Sequence, residues 1–140
     1  MLRKLSNEGD PADWFYLALD RLKTADLAWN AEGLTASGIE LLQESVERYL
    51  KGYLIAKGWK LMKTHDLSVL VSEAICLDAQ FKSFTSLADE LTRDFFALHY
   101  PGGDWQTIGQ HYPDLRRQTS EMVELIQKSL PQYFPRPPAN

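Results

Sequence analysis

The chain has 140 residues, enough for one domain with a real core, and at 44% hydrophobic and 11% aromatic it belongs with globular rather than disordered sequences. A formal net charge of −4 excludes broad, sequence-independent duplex binding, which needs a large basic surface, but leaves room for a local basic pocket. One cysteine excludes an intrachain disulfide, and no apolar run reaches the ~18 residues of a membrane-spanning helix.

Helical periodicity dominates the chain. Residues 1–10 lack an apolar secretion core, so a cytoplasmic protein is the expectation. Asp10-Pro11 is a start signal, a capping acid followed by proline in the first turn. Trp14, Leu17, Ala18, Leu22, Ala25, Ala28 and Trp29 then form an apolar stripe, with the two tryptophans expected in the core or an interface, and Gly33 closes the helix. A second helix is predicted over 35–57, buried along Ile39, Leu42, Val46, Tyr49, Leu50 and Tyr53 and stopped by Gly58. After a short basic linker, Asp66 suits the first turn of a third helix, because a carboxylate favours the positive end of the helix dipole. Leu67, Leu70, Val71, Ala74 and Ile75 face inward there, and Cys76 is expected to be a buried small hydrophobe. A fourth helix shows Phe81, Phe84, Ala88, Leu91, Phe95 and Leu98 at steps of three and four, and Pro101-Gly102-Gly103 breaks it. Residues 104–111 look like a loop, which leaves His111 exposed; Pro113-Asp114 opens a fifth helix carrying Leu115, Met122, Val123, Ile126 and Leu130. The expectation is an all-α, up-and-down antiparallel bundle of about five helices over residues 1–130. A Pro-rich tail at 131–140, with four prolines among ten residues, is expected to be extended or disordered.

Three segments resemble a known family. Gln43-Glu44-Ser45-Val46-Glu47-Arg48-Tyr49-Leu50-Lys51-Gly52 is similar to a family pattern of Gln, then Ala-Ala-Glu-Lys-x-Leu-Lys-Ala. Gly58 and then Thr64-His65-Asp66-Leu67 resemble the Gly…Thr-His-Asp-Leu segment that follows it, and His99-Tyr100-Pro101 stands where that family often has Arg-Tyr-Pro. Together, over residues 14–130, these resemble the HEPN domain, named for higher eukaryotes and prokaryotes nucleotide-binding. The resemblance implies a helical bundle, usually a homodimer, often partnered with a minimal nucleotidyltransferase in a toxin–antitoxin pair. It also implies RNA or nucleotide as ligand and no cofactor. A nucleotidyltransferase partner would have Tyr100 as one tyrosine to modify. Many members are metal-independent ribonucleases with an Arg-x(4–6)-His motif, which Arg93-Asp94…His99 fits with five intervening residues. The fit departs from the family in two ways. Asp94 stands where Asn or His is usual, and Tyr100 follows His99 without a spacer.

On that reading Arg93 holds a phosphate through its fork of donors, His99 serves as base or acid, and Asp94 orients one of them. Helix geometry opposes a shared face: six residues turn through enough to leave Arg93 and His99 about 120° apart. The alternative is an exposed Arg93 paired with Glu90 or Asp89, a His99 that caps the helix end, and a non-catalytic nucleotide- or protein-binding module. Glu40, Gln43, Glu44, Glu47 and Lys51 share a polar face of the second helix, which is either solvated or a buried or dimer contact; Glu47 and Lys51 are in the favourable i,i+4 order. Lys51, Lys57, Lys60 and Lys63 either gather with Arg93 into an anion patch or scatter in solvent, the latter slightly preferred. His65 and Asp66 have no further His or Cys at ligand spacing, so no metal site is expected; Asp66 starts a helix and His65 bonds a neighbour. Tyr100 and Trp105 flank the Gly-Gly loop and either stack on a base or tuck over the bundle end.

Overall fold

The computed structural model describes residues 7–134. Its elements are α1 (Pro11–Glu32), α2 (Ala36–Ala56), α3 (Leu67–Leu77), a 3-10 helix (Ala79–Phe84), α4 (Thr85–His99), α5 (Trp105–Ser129) and a 3-10 turn (Pro131–Tyr133). No strand occurs among the described residues, and no helix among them is long and apolar enough to cross a membrane.

Local chemistry sets most of the boundaries. The side chains of Asp10, Thr35, Asp66 and Asp104 accept from the backbone N–H groups of Ala12, Gly38, Ser68 and Thr107, capping α1, α2, α3 and α5. Gly33 and Gly58, at φ 74° and 89°, supply the left-handed turns after α1 and α2 that a Cβ would strain.

Helix α2 is the spine of the bundle, packed on α1, α3, α4 and α5. Its Ile39, Leu42, Val46, Tyr49, Leu50 and Tyr53 are all buried, as periodicity predicts. The short turn between α1 and α2 makes them antiparallel neighbours. Aromatic packing closes the far side, with Tyr53 4.6 Å from Phe81. On α1 the core-forming buried residues are Phe15, Ala18, Leu22 and Ala25, with Pro11 and Asp13 also buried in its first turn; Trp14 is half-buried at the edge of the stripe. Trp29 is also half-buried, stacked on Tyr112 at 4.5 Å.

Four local expectations need correction. Residues 79–84 form a 3-10 helix, so α4 begins only at Thr85. Residues 105–111 are helical: Asp104, not Pro113, starts α5, and Ile108, Tyr112, Leu115, Thr119, Met122 and Ile126 continue one buried stripe through the proline. Proline mid-helix removes one hydrogen bond, and here the stripe's burial outweighs that loss. Cys76 is exposed, because it lies two residues past Ala74 and so turns about 200° away from α3's buried face. The start of the tail is ordered: Pro131–Tyr133 make a 3-10 turn, and Tyr133 and Phe134 pack on Phe15 at 5.8 and 4.7 Å. Residues 135–140 lie outside the described residues.

Candidate functional site

A groove of about 520 Å³ runs between α2 and α4 and is lined by Glu40, Gln43, Glu44, Glu47, His65, Asp66, Thr92, Phe95 and Phe96. The first four sit three, four and seven residues apart, so helical geometry lays them in one stripe along α2. Thr92, Phe95 and Phe96 form the facing stripe of α4. The volume falls within the ~300–1,000 Å³ usual for small-ligand sites.

The wall on α2 is anchored by a charge network. Glu47 is 4% exposed and its two oxygens are both occupied. Lys51 Nζ donates to Oε2 at 3.0 Å and His65 Nδ1 lies 2.9 Å from Oε1. Lys51 is itself 4% exposed, with its ammonium 5.5 Å from the centroid of the Trp14 ring. Buried charges of this kind persist only when paired and hydrogen-bonded. The Glu47–Lys51 spacing is thus a buried contact, and Lys51 is not a member of any surface anion patch. The network joins two of the segments that carry the family resemblance, tying the loop before α3 onto α2.

The groove's remaining polar groups are less committed. Glu44 Oε2 stands 3.7 Å from Arg21 Nε, and the Gln43 amide oxygen is buried with no partner among the described residues. Asp66 caps α3; its hydrogen bonds to the Ser68 hydroxyl and backbone hold its carboxyl below the usual carboxylate range.

Helix α4 distributes the motif residues over different faces. Arg93 is exposed and makes no hydrogen bond or ion pair among the described residues, so it does not pair with Glu90 or Asp89. His99 is exposed on the last turn, its ring 5.5 Å from Phe95 and 5.0 Å from Tyr100. Phe96, three residues from each, projects between them, about 60° from either. Thr92, Phe95, Phe96 and His99 occupy one face, so His99 continues the groove's aromatic wall. Asp94 faces the other way: it is 2% exposed and hydrogen-bonded to His111 Nε2 on α5. It touches neither Arg93 nor His99.

Tyr100 and Trp105 stand on opposite sides of the Gly102-Gly103 turn, 69% and 46% exposed. A Cβ on Gly103 would lie 2.3 Å from the Ala97 carbonyl oxygen, so the turn can press against the end of α4 only with glycine there. No group of three or more His, Cys, Asp or Glu among the described residues has the geometry of a metal site.

Sequence reasoning missed His111 because residues 104–111 read as a loop. Two signals were present: the Asp104-x-x-Thr107 cap, and the 4-3-4-3-4 spacing from Ile108 to Ile126. Asp94 carried one as well, since it occupies a core position in the series Leu87, Leu91, Asp94, Leu98.

The sequence model of the HEPN domain matches residues 12–129, most of the chain. No curated protein and no solved structure matches it significantly.

Proposed function

The chain belongs to the HEPN domain family, and from that premise we propose that it is an RNA-directed protein that cleaves phosphodiesters without metal, as a homodimer acting with a minimal nucleotidyltransferase as toxin partner. The observation that carries this reading is the exposed side of α4. Arg93, unpaired among the described residues, and His99 flank Phe96 beside the groove. A guanidinium not engaged by protein carboxylates is available to a phosphate, which it grips through two parallel N–H donors. An imidazole can give or take a proton, and that of His99 is exposed. Phe96 between them, with Tyr100 beside His99, offers a face on which a base can stack. The gap of about 120° between Arg93 and His99 favours a cleft completed by a second copy, in which each residue meets the other's counterpart. Asp94 contributes by fixing α4 against α5 through His111, not by touching substrate.

The test is cleavage of labelled tRNA and mRNA in EDTA by the wild type, Arg93→Ala and His99→Ala. Cuts by the wild type that both variants lose support the reading. Intact RNA from protein shown to be folded and dimeric sinks it.

A second reading is a non-catalytic nucleotide- or protein-binding module. It is favoured by the lining of the groove, whose polar groups Glu40, Gln43 and Glu44, the last within 3.7 Å of Arg21, offer acceptors beside two phenylalanines. Such a wall suits the N–H edge of a flat ring. Binding of nucleosides without cleavage of RNA is its expected signature.

A further inference from the structure

Breaking a phosphodiester without metal requires one group to take the 2′-hydroxyl proton and another to supply a proton to the leaving oxygen. Within one protomer His99 can be only one of them. We propose that His65, held by Glu47, is the second, so that the groove between α2 and α4 is the reaction cleft; the inference rests on the ribonuclease reading above.

Glu47 is buried at 4% exposure and its position is fixed from both ends, by Lys51 at 3.0 Å on Oε2 and by His65 Nδ1 at 2.9 Å on Oε1. A carboxylate on Nδ1 makes that nitrogen the donor, so the neutral ring carries its lone pair on Nε2. The His65 side chain is 85% exposed although one ring nitrogen is anchored. This is the arrangement of an oriented base: one nitrogen locked by a buried acid, the other presented to whatever enters. What it meets is the groove it lines with Phe95 and Phe96. His99 follows Phe95 by one turn on the same face of α4, its ring 5.5 Å from that phenylalanine. The two imidazoles thus belong to one continuous surface, His65 on the α3 side and His99 at the end of α4.

His111 provides the contrast. It too is paired with a buried carboxylate, Asp94, but it lies on α5 behind α4 and lines no part of the groove. The same pairing there is a tie between helices.

The reaction balances without a co-reactant. His65 Nε2 accepts the 2′-hydroxyl proton as that oxygen bonds to phosphorus. The bond from phosphorus to the 5′ oxygen breaks, and the His99 imidazolium gives its proton to the departing oxygen. Arg93 of a second copy, meeting His99 across the dimer cleft proposed above, bears the charge of the five-coordinate phosphorus. The products are a 2′,3′-cyclic phosphate and a 5′-hydroxyl end, with His65 left protonated and His99 neutral until solvent exchanges the protons back.

His65→Asn separates the chemical role from a structural one. The asparagine amide N–H can take the place of Nδ1 against Glu47, but it transfers no proton. We expect its kcat on RNA to fall on the order of 100-fold or more, with KM and the melting temperature unchanged. A substrate with a nitrophenolate leaving group on a nucleoside 3′-phosphate needs no acid. It should restore turnover to His99→Ala and not to His65→Asn. His65→Asn cutting RNA at the wild-type rate while His99→Ala is dead overturns the role of His65 and leaves the ribonuclease reading standing. Rescue of His65→Asn by the nitrophenyl substrate overturns its role as the base. A wild type that cuts nothing sinks both. A check that needs no variant is the wild-type pH profile: it should be bell-shaped on RNA and lose only its alkaline limb on the nitrophenyl substrate. A single limb on RNA overturns the two-imidazole scheme.

Discussion

Asp94 and His111 join the middle of α4 to the first turns of α5 through one hydrogen bond between Oδ2 and Nε2, with the carboxylate 2% exposed. Its neighbour in sequence, Arg93, is exposed. Adjacent residues in the Arg-x(5)-His segment therefore have opposite physical duties. Asp94→Ala should cost about 2–3 kcal/mol by leaving a cavity and an unpaired histidine. Arg93→Ala should stay within about 0.5 kcal/mol, as exposed substitutions do. Urea denaturation of both variants checks this, and equal midpoints would refute the division of labour.

The Glu47–Lys51 pair makes a sharper energetic prediction. Lys51→Met removes one partner and leaves a carboxylate 4% exposed with only His65, a loss of about 3–5 kcal/mol. Glu47→Leu combined with Lys51→Met removes both charges and should recover much of that loss. Thermal unfolding of the single and double variants, read as a double-mutant cycle, decides it.

Asp66 predicts a pH dependence at the start of α3. Asp66→Ala removes the cap and should cost about 1 kcal/mol at neutral pH. The folded carboxyl titrates below its ordinary value because Ser68 hydrogen-bonds the charged form. Its stabilisation is therefore complete above the unfolded-chain value and disappears as pH falls through the depressed folded one. The gap between wild type and Asp66→Ala should close over that acid interval. A gap that persists unchanged in strong acid would contradict the assignment.

Buried tyrosines predict the alkaline limit. Burial pushes Tyr49 and Tyr112 from 10.0 up to about 12, with Arg116 opposing the rise in both and Asp26 adding to it for Tyr112. Their neutral forms are favoured by the fold. The contribution is intact below the unfolded-chain value of 10.0 and is lost as pH rises through about 12. Tyr53, 1% exposed, is also held above 10.0, by burial and then by the nearby Asp78 carboxylate, so ultraviolet titration should show three phenols ionising late, together with unfolding, and Tyr49→Phe should make one of them vanish.

Cys76 is a chemical probe of the α3 surface. Because it is exposed, a maleimide should label it in the native protein at nearly the rate seen in denaturant. Strong protection would mean that another molecule covers that face.

Fold was legible in the sequence wherever a local rule and the global pattern agreed. Asp10-Pro11, Gly33, Thr35, Gly58 and Asp66 mark helix ends by backbone chemistry alone, and the α2 stripe is buried residue for residue. It failed where two signals competed. Pro113 is a common helix opener, and it masked the weaker cap at Asp104. Cys76 adjoins apolar residues in sequence but not on the helix surface. Site residues were legible as types more than as partners. Spacing places Glu47 beside Lys51, but their burial depends on Trp14 from α1 and His65 from the loop before α3, neither of which periodicity brings together. Likewise Asp94 next to Arg93 suggests cooperation, and only the packing of α5 assigns it to His111.

The double role of α2 has a consequence for how this molecule can adapt. The helix that carries Glu40, Gln43, Glu44 and Glu47 is the same one that packs against every other long helix of the bundle. One jaw of the groove is therefore bolted to the frame, and any drift in it propagates into the whole interior. The opposing jaw hangs on exposed Phe96, 59% accessible, and on a histidine at a helix end. Changes of ligand, by natural drift or by deliberate redesign, should accumulate along α4 and in the loop before α3, with the carboxylate row of α2 left as the fixed reference against which they are tuned.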